Sequence, residues 1–317
     1  MSTARYLARA ALQGAALLLG VTLVSFVLMV HFAPDRTWGL LGKNPTAEQV
    51  AEVRHELGYD RPLASRYVDF LGELVTLDFG HSDTTGERVT DMLSRTVPVT
   101  LALVIPGFIL GNVLGIILGL AAAWKRGRWL DRWVMAGSVA GMSLSFLVII
   151  IALQILLCTP WGLDLFPARG WRVDGLGSYL WYVTVPTLAL VTVTLGYNAR
   201  FYRSVAAEEL DRNHIRTARA YGASPATILF VHVLRNGAIA ILTRVLFSIP
   251  LVVVSGSLLL ETYFGIPGVG RVTFDAITSG DQPVLKAVVS LTAVAFVLLQ
   301  ACADACYRWA DPRVARS

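Results

Sequence analysis

Thr96–Trp124 reads TVPVTLALVIPGFILGNVLGIILGLAAAW and contains no Asp, Glu, Lys or Arg. A helix needs roughly 20 mostly apolar residues to cross a bilayer, so this stretch can hold a complete span. Three other stretches free of those charges are as capable: Ala10–Pro34, Trp133–Leu163 and Gly175–Ala199. Two shorter blocks, Val245–Leu260 and Ala287–Ala303, extend past one basic residue each, Arg244 and Lys286. Long basic side chains near a helix end snorkel to the interface, so neither charge disqualifies its span. The reading is an all-α polytopic membrane protein with six transmembrane helices.

Composition agrees. The chain has 317 residues, 55% of them hydrophobic and 15% charged. Soluble domains carry about 25% charged residues. Disordered, collagen-like and small disulfide-scaffold classes are excluded. The first block could be a secretory signal, since Arg5 and Arg9 form a basic start. Its apolar run is too long and no small-x-small site follows, so it reads as a retained helix. Cys158, Cys302 and Cys306 lack zinc or CxxC spacing and read as small membrane-helix residues.

Charge sets the orientation. With the N-terminus inside, the inner pieces are 1–9, 125–132, 200–244 and 304–317, holding 16 basic and 6 acidic residues. The outer pieces hold 11 basic and 16 acidic residues. The positive-inside rule then places both ends in the cytoplasm. The net charge of +5 is explained by the membrane and needs no nucleic acid.

The sequence divides into 1–34, the N-terminus and first span; 35–95, an outer helical segment; and 96–317, a five-helix core carrying a cytoplasmic loop at 200–244. In 35–95, Thr46 and Gln49 fit a capping box. Val50, Val53 and Leu57 follow at helical spacing, and Gly58 is placed to end that helix. The segment reads equally as a structured loop or as a docking surface. In 200–244, a helical stretch from Arg203 stops at Gly222, after charges that include Glu208, Glu209, Asp211, Arg212, Arg216 and Arg219. Ser224 can cap a second helix with Pro225 at its first position. This helix-turn-helix suits a soluble protein partner, or else lies on the membrane as an amphipathic loop. Glu261-Thr-Tyr-Phe-Gly265-Ile-Pro267-Gly268-Val-Gly270-Arg271 reads as a rigid outer turn, with no βαβ unit that would bind a dinucleotide.

Catalytic signals are missing. Gly42-Lys43 is followed by Asn44, so there is no P-loop. His55-Glu56 lacks the second histidine of a zinc motif, and there is no GxSxG. The span centres hold almost no ionisable groups, which disfavours an ion-coupled carrier. Transport would then draw its energy from elsewhere.

These residues resemble the membrane-spanning permease subunits of bacterial ABC importers, in the dipeptide/oligopeptide/nickel group. Glu208 and Glu209 with Ile215-Arg216-Thr217-Ala218-Arg219-Ala220-Tyr221-Gly222, then His232-Val-Leu-Arg235-Asn236, are similar to that family's EAA loop. Phe264–Arg271 resembles its outer turn. Glu56–Leu63, Asp78–Ser82, Gly127–Arg132 and Asp311-Pro312-Arg313 are further similar pieces. The chain departs at Asn213-His214, where the family has Asp-Tyr, and at Tyr221, where it has Lys. Ser145-Phe146 stands where a proline is expected, leaving no local cause for a kink in the third span.

The resemblance implies a non-enzymatic transport subunit in the bacterial inner membrane. It implies two cytoplasmic ATPase subunits that bind ATP and magnesium, a second permease that is a sister chain or an identical copy, and an external binding protein. No cofactor is expected in this chain. Glu208, Glu209, Arg216, Ala218, Arg219, Gly222, Ser224 and Pro225 are the candidate ATPase-coupling residues. Gly265, Pro267, Gly268 and Gly270 form the outer turn. The alternatives are a passive channel or an intramembrane enzyme, each without an ATPase.

Overall fold

The computed structural model describes residues 3–32, 37, 41, 45–56 and 58–310. Leu57, Asn44, Gly42-Lys43 and Asp311-Pro312-Arg313 lie outside them. Among the described residues thirteen helices follow in order. They are α1 (Thr3–Phe32), α2 (Ala47–Glu56), α3 (Leu63–Thr76), α4 (Val89–Trp124), α5 (Trp129–Ser143), α6 (Phe146–Cys158) and α7 (Leu176–Leu210). Then come α8 (Asn213–Ala220), α9 (Pro225–Asn236), α10 (Ala238–Leu251), α11 (Ser257–Phe264), α12 (Val269–Ser279) and α13 (Gln282–Ala310). Among the described residues the only extended pairing is one antiparallel bridge, His81 to Arg88. Lipid offers the backbone no hydrogen bonds, so long apolar segments must satisfy their own as helices.

Among the described residues four helices are long and apolar enough to cross a membrane unbroken: α1 over Leu12–His31, α4, α7, and α13 over Gln282–Ala303. Two bent pairs also qualify, α5 with α6 (101°) and α9 with α10 (63°). Counting each pair once gives up to six spans, the number expected, although the second pair takes in α9 from the segment read as a cytoplasmic loop and ends at Pro250, overlapping Val245–Leu260 only in part.

The boundaries differ from the sequence reading in three places. The third span breaks sharply without a proline. Leu144 and Ser145 are both extended (ψ 136° and 137°), and a new helix starts when Ile149 N–H bonds the Ser145 carbonyl. Ser138 and Ser143 bond back to the Val134 and Val139 carbonyls, and such back-bonding serines bend helices. Second, α7 runs on past the apolar run to Leu210. Third, Val245–Leu260 lies inside a longer helical course from Ala238 to Phe264. A π-turn at Val252–Gly256 follows Pro250, whose missing N–H interrupts the regular bonding.

Contacts divide the chain into two units, one of Ser2–Val97 with Val272–Gln300, the other chiefly Pro98–Arg271. In the first, the Thr46–Gln49 capping box forms in both directions (3.0 and 3.3 Å). Gly58 ends α2 with φ +68°, and Val50 and Val53 are half-buried. The rings of Phe26, Tyr67 and Phe70 cluster, and the Tyr67 hydroxyl donates to the Leu19 carbonyl (3.0 Å). Buried Asp281 accepts from Ser82 Oγ (2.5 Å), and Lys286 bonds Glu73 (3.2 Å).

The second unit has an apolar core that includes Leu103, Ile150, Val185, Leu190, Leu260 and Ile266. Within it α4 and α7 approach closely along Gly107, Gly111, Gly115 and Gly119. A Cβ on Gly115 would stand 2.7 Å from Asn198 Cβ, and one on Gly119 would stand 2.8 Å from the Arg203 backbone nitrogen. Small residues at every fourth position let two membrane helices touch backbone to backbone. Beside this seam Asn112 Oδ1 accepts from Tyr202 Oη (2.7 Å) and Asn198 Nδ2 (3.1 Å).

Candidate functional site

The charged helical hairpin is built from the end of α7. The sequence reads one helical stretch from Arg203 to Gly222, but the structure divides it at Asp211-Arg212. Arg212 is extended (ψ 152°), and its guanidinium folds back on Glu208 (3.2 Å) and Glu209 (3.1 Å). The extended Arg212 thus ends α7 and opens the much shorter α8, with its side chain paired to two acids of the last turn of α7. Glu208 and Glu209 belong to the membrane helix and not to the hairpin's first arm.

The turn forms as its residues dictate. Gly222 takes φ +78°, which an L side chain adopts only with strain. Its N–H bonds the Arg219 carbonyl, and Ala223 N–H bonds the Ala218 carbonyl (both 3.0 Å). Ser224 Oγ caps α9 by accepting from Thr227 N–H (3.2 Å), with Pro225 first in the helix. Across the hairpin, Asn236 Nδ2 lies 3.2 Å from His214 Nε2.

An apolar core fixes the hairpin to the membrane helices. Ile215 of α8 and Ile228 and Val233 of α9 pack with Leu120 and Ala123 of α4 and Ala206 of α7. The tip faces out, with Tyr221 88% exposed. Glu208 and Arg216 are exposed, and Ala218 is half-buried. Arg219 is exposed and stacks over Trp124, 5.5 Å from the ring centre. Glu209 is only 5% exposed, so its carboxylate is turned into the protein beside Arg212 and His214.

The outer-turn residues form a separate cluster around Glu261. This buried carboxylate accepts from Thr100 Oγ1 (2.7 Å) and Arg271 N–H (2.9 Å), and Thr100 Oγ1 accepts from Val269 N–H (2.8 Å). Gly265 ends α11 in the left-handed region (φ +66°). Pro267 follows Ile266 in the turn, and Gly268 N–H bonds the Ile266 carbonyl (3.0 Å). A Cβ on Gly268 would collide with the Glu261 carboxylate, and one on Gly270 would stand 2.6 Å from Leu258 Cα. The expected glycines are therefore brought together, with Glu261 as their organiser.

Three features lie beyond the sequence reading. One is the glycine seam of α4, for which the GxxxG spacing inside Thr96–Trp124 was an available signal. Another is a bidentate pair of Arg203 with Asp131, which is 4% exposed. The third is the role of Glu261, for which the sequence offers no local signal. Among the described residues no group of His, Cys, Asp and Glu could hold a metal ion.

Four to six spans, a helical hairpin seated on their ends and a pinned turn between the last two define a multi-pass helical membrane protein of the transporter-permease class. Residues 96–316 match the family described as binding-protein-dependent transport system inner membrane component, and residues 3–104 match its N-terminal partner family. The chain belongs to this family and is a permease subunit of an ABC importer in the inner membrane.

The chain is similar to the di/tripeptide transport system permease protein DppB of Pseudomonas aeruginosa, 34% identical over 93% of this chain and 94% of that one. It is similar to the dipeptide transport system permease protein DppB of Bacillus subtilis, 31% identical over 98% of each. The glutathione transport system permease protein GsiC of Salmonella typhimurium is 31% identical over 93% of this chain and 94% of its own. In fold, the chain resembles a structure described as an inward facing conformation of the MetNI methionine ABC transporter. That match has a TM-score of 0.58 at 19% identity, over 69% of this chain and 96% of that one.

Proposed function

We propose that this permease forms part of an import pathway for short peptides and is driven by two separate cytoplasmic ATPases through the α8–α9 hairpin. The substrate class follows from relatives named for dipeptides, tripeptides and glutathione, itself a tripeptide. An external binding protein delivers the peptide, and a second permease, a sister chain or an identical copy, completes the pathway. ATP and magnesium are held by the ATPases, with no cofactor in this chain. Both termini are cytoplasmic, as the basic bias of 125–132 and 200–244 supports.

The observation that carries the reading is the hairpin's mounting. Its tip is exposed, while Ile215, Ile228 and Val233 lock its arms to α4 and α7. A displacement of the tip is therefore passed to two membrane helices through packed side chains. Glu208, Arg216, Arg219 and Tyr221 present the contact surface, and Ala218, Gly222, Ser224 and Pro225 shape it. Glu209 acts from within, holding Arg212 at the α7–α8 break.

The test is purification of the tagged chain in mild detergent from its native background, followed by identification of what remains bound. A P-loop ATPase should co-purify, and Gly222→Pro should remove it. Intact, folded chain with no ATPase would overturn the coupling role and leave a passive channel or a self-contained enzyme.

A further inference from the structure

The turn between α4 and α5 carries a patch that coupling does not use. Asp131 points inward, where it takes two bonds from Arg203, and its Oδ2 also accepts from Gly127 N–H (2.9 Å). This fixes how the first turns of α5 face. At about 100° per residue, Trp129 and Trp133 stand about 160° away from Asp131, on the opposite side of the helix. They are 69% and 71% exposed. Arg132, beside Trp133, is exposed and makes no ion pair with a carboxylate among the described residues, while Arg128 lines a separate hollow shared with Arg219 and Pro225 of the hairpin. Trp129, Arg132 and Trp133 line an open hollow of about 480 Å³ with Gly127 and Ala136.

We propose that this patch binds the headgroup of an anionic phospholipid. It lies where α4 ends and the next span begins, which is the depth at which tryptophan rings favour the membrane interface. The Arg132 guanidinium offers the planar donor fork that suits a phosphate. The rings supply an apolar floor for the glycerol and upper acyl segments. Charge complementarity selects an anionic over a zwitterionic lipid. The inference rests on the membrane reading of the chain and is independent of ATPase coupling.

The test titrates the intact transporter in neutral detergent with phosphatidylglycerol and, separately, phosphatidylcholine, counting retained lipids by native mass spectrometry. Arg132→Gln should weaken phosphatidylglycerol retention about fivefold, the effect of one basic residue removed. Arg169→Gln removes equal charge elsewhere and should leave retention unchanged. Thermal unfolding of both variants checks that they fold. Soluble glycerol 3-phosphate should not displace the lipid. Equal weakening by the two variants, or none, would overturn the proposal. Displacement by glycerol 3-phosphate would assign the patch to a free phosphate and overturn it as well. Retention by the chain alone, lost when the ATPases bind, would assign the patch to a protein partner and likewise overturn the proposal. Recovery of the chain without an ATPase would sink the coupling reading and leave this titration valid.

Discussion

Glu261 shows what a single residue contributes. Its carboxylate satisfies a hydroxyl and backbone N–H groups in a buried turn. Removing one partner of a buried bond leaves the other unsatisfied, at about 1–3 kcal/mol. Glu261→Ala strands Thr100 and Arg271 N–H together and should lower the thermal unfolding midpoint markedly in detergent. Glu261→Gln keeps the shape and one acceptor oxygen, so it should lie between wild type and Glu261→Ala. The reverse order would show that the carboxylate does not organise the turn. Gly270→Ala should also destabilise, because Leu258 backbone occupies the space a Cβ needs. The glycines and Pro267 made a turn legible in the sequence. The role of Glu261 was not, because its partner Thr100 is 161 positions away. The burial of Glu209 was not legible for a related reason: it sits in a charged run, and only the fold turns it inward.

At the scale of elements, apolar length alone made the helices legible, since lipid permits almost nothing else. Their interruptions were less legible. The α5–α6 break has no proline and falls where Leu144 and Ser145 turn extended, a change that no residue there announces. The α7–α8 break was illegible because Glu208, Glu209 and Arg212 carry the i,i+3 and i,i+4 spacing that a continuous helix also favours. The α4–α7 seam gives a sharp test of element packing. Gly115→Ala places a methyl against Asn198 and should destabilise by about 1–3 kcal/mol, the usual effect of overpacking. Gly137→Ala lies mid-helix in α5 with nothing within 4 Å of the new Cβ. There the lost glycine entropy should leave stability unchanged or raise it by about 0.5–1 kcal/mol. Paired unfolding curves in one detergent decide the matter, and equal responses would mean that α4 and α7 do not meet along the glycines.

For the whole molecule, the question is whether binding an ATPase and moving the pathway are separable. The proposed coupling gives the hairpin two parts with different duties: the tip at Tyr221-Gly222 would meet the ATPase, and the packed core at Ile215, Ile228 and Val233 would transmit what the tip receives. Gly222→Pro alters the tip and should abolish ATPase association. Ile228→Ala leaves the tip sequence intact but opens a cavity against α4 and α7. Such truncations cost about 2–5 kcal/mol, here charged to the joint between hairpin and membrane helices. The ATPase should still bind Ile228→Ala. Peptide uptake into proteoliposomes should fall several-fold more than ATP hydrolysis does, because hydrolysis no longer moves the helices in step. A chain lost from the membrane would mean that the joint is also needed for folding, and the milder Ile228→Val, removing one methylene, then carries the comparison. Uptake and hydrolysis falling in proportion in Ile228→Val would show that the packed core is not the route of coupling.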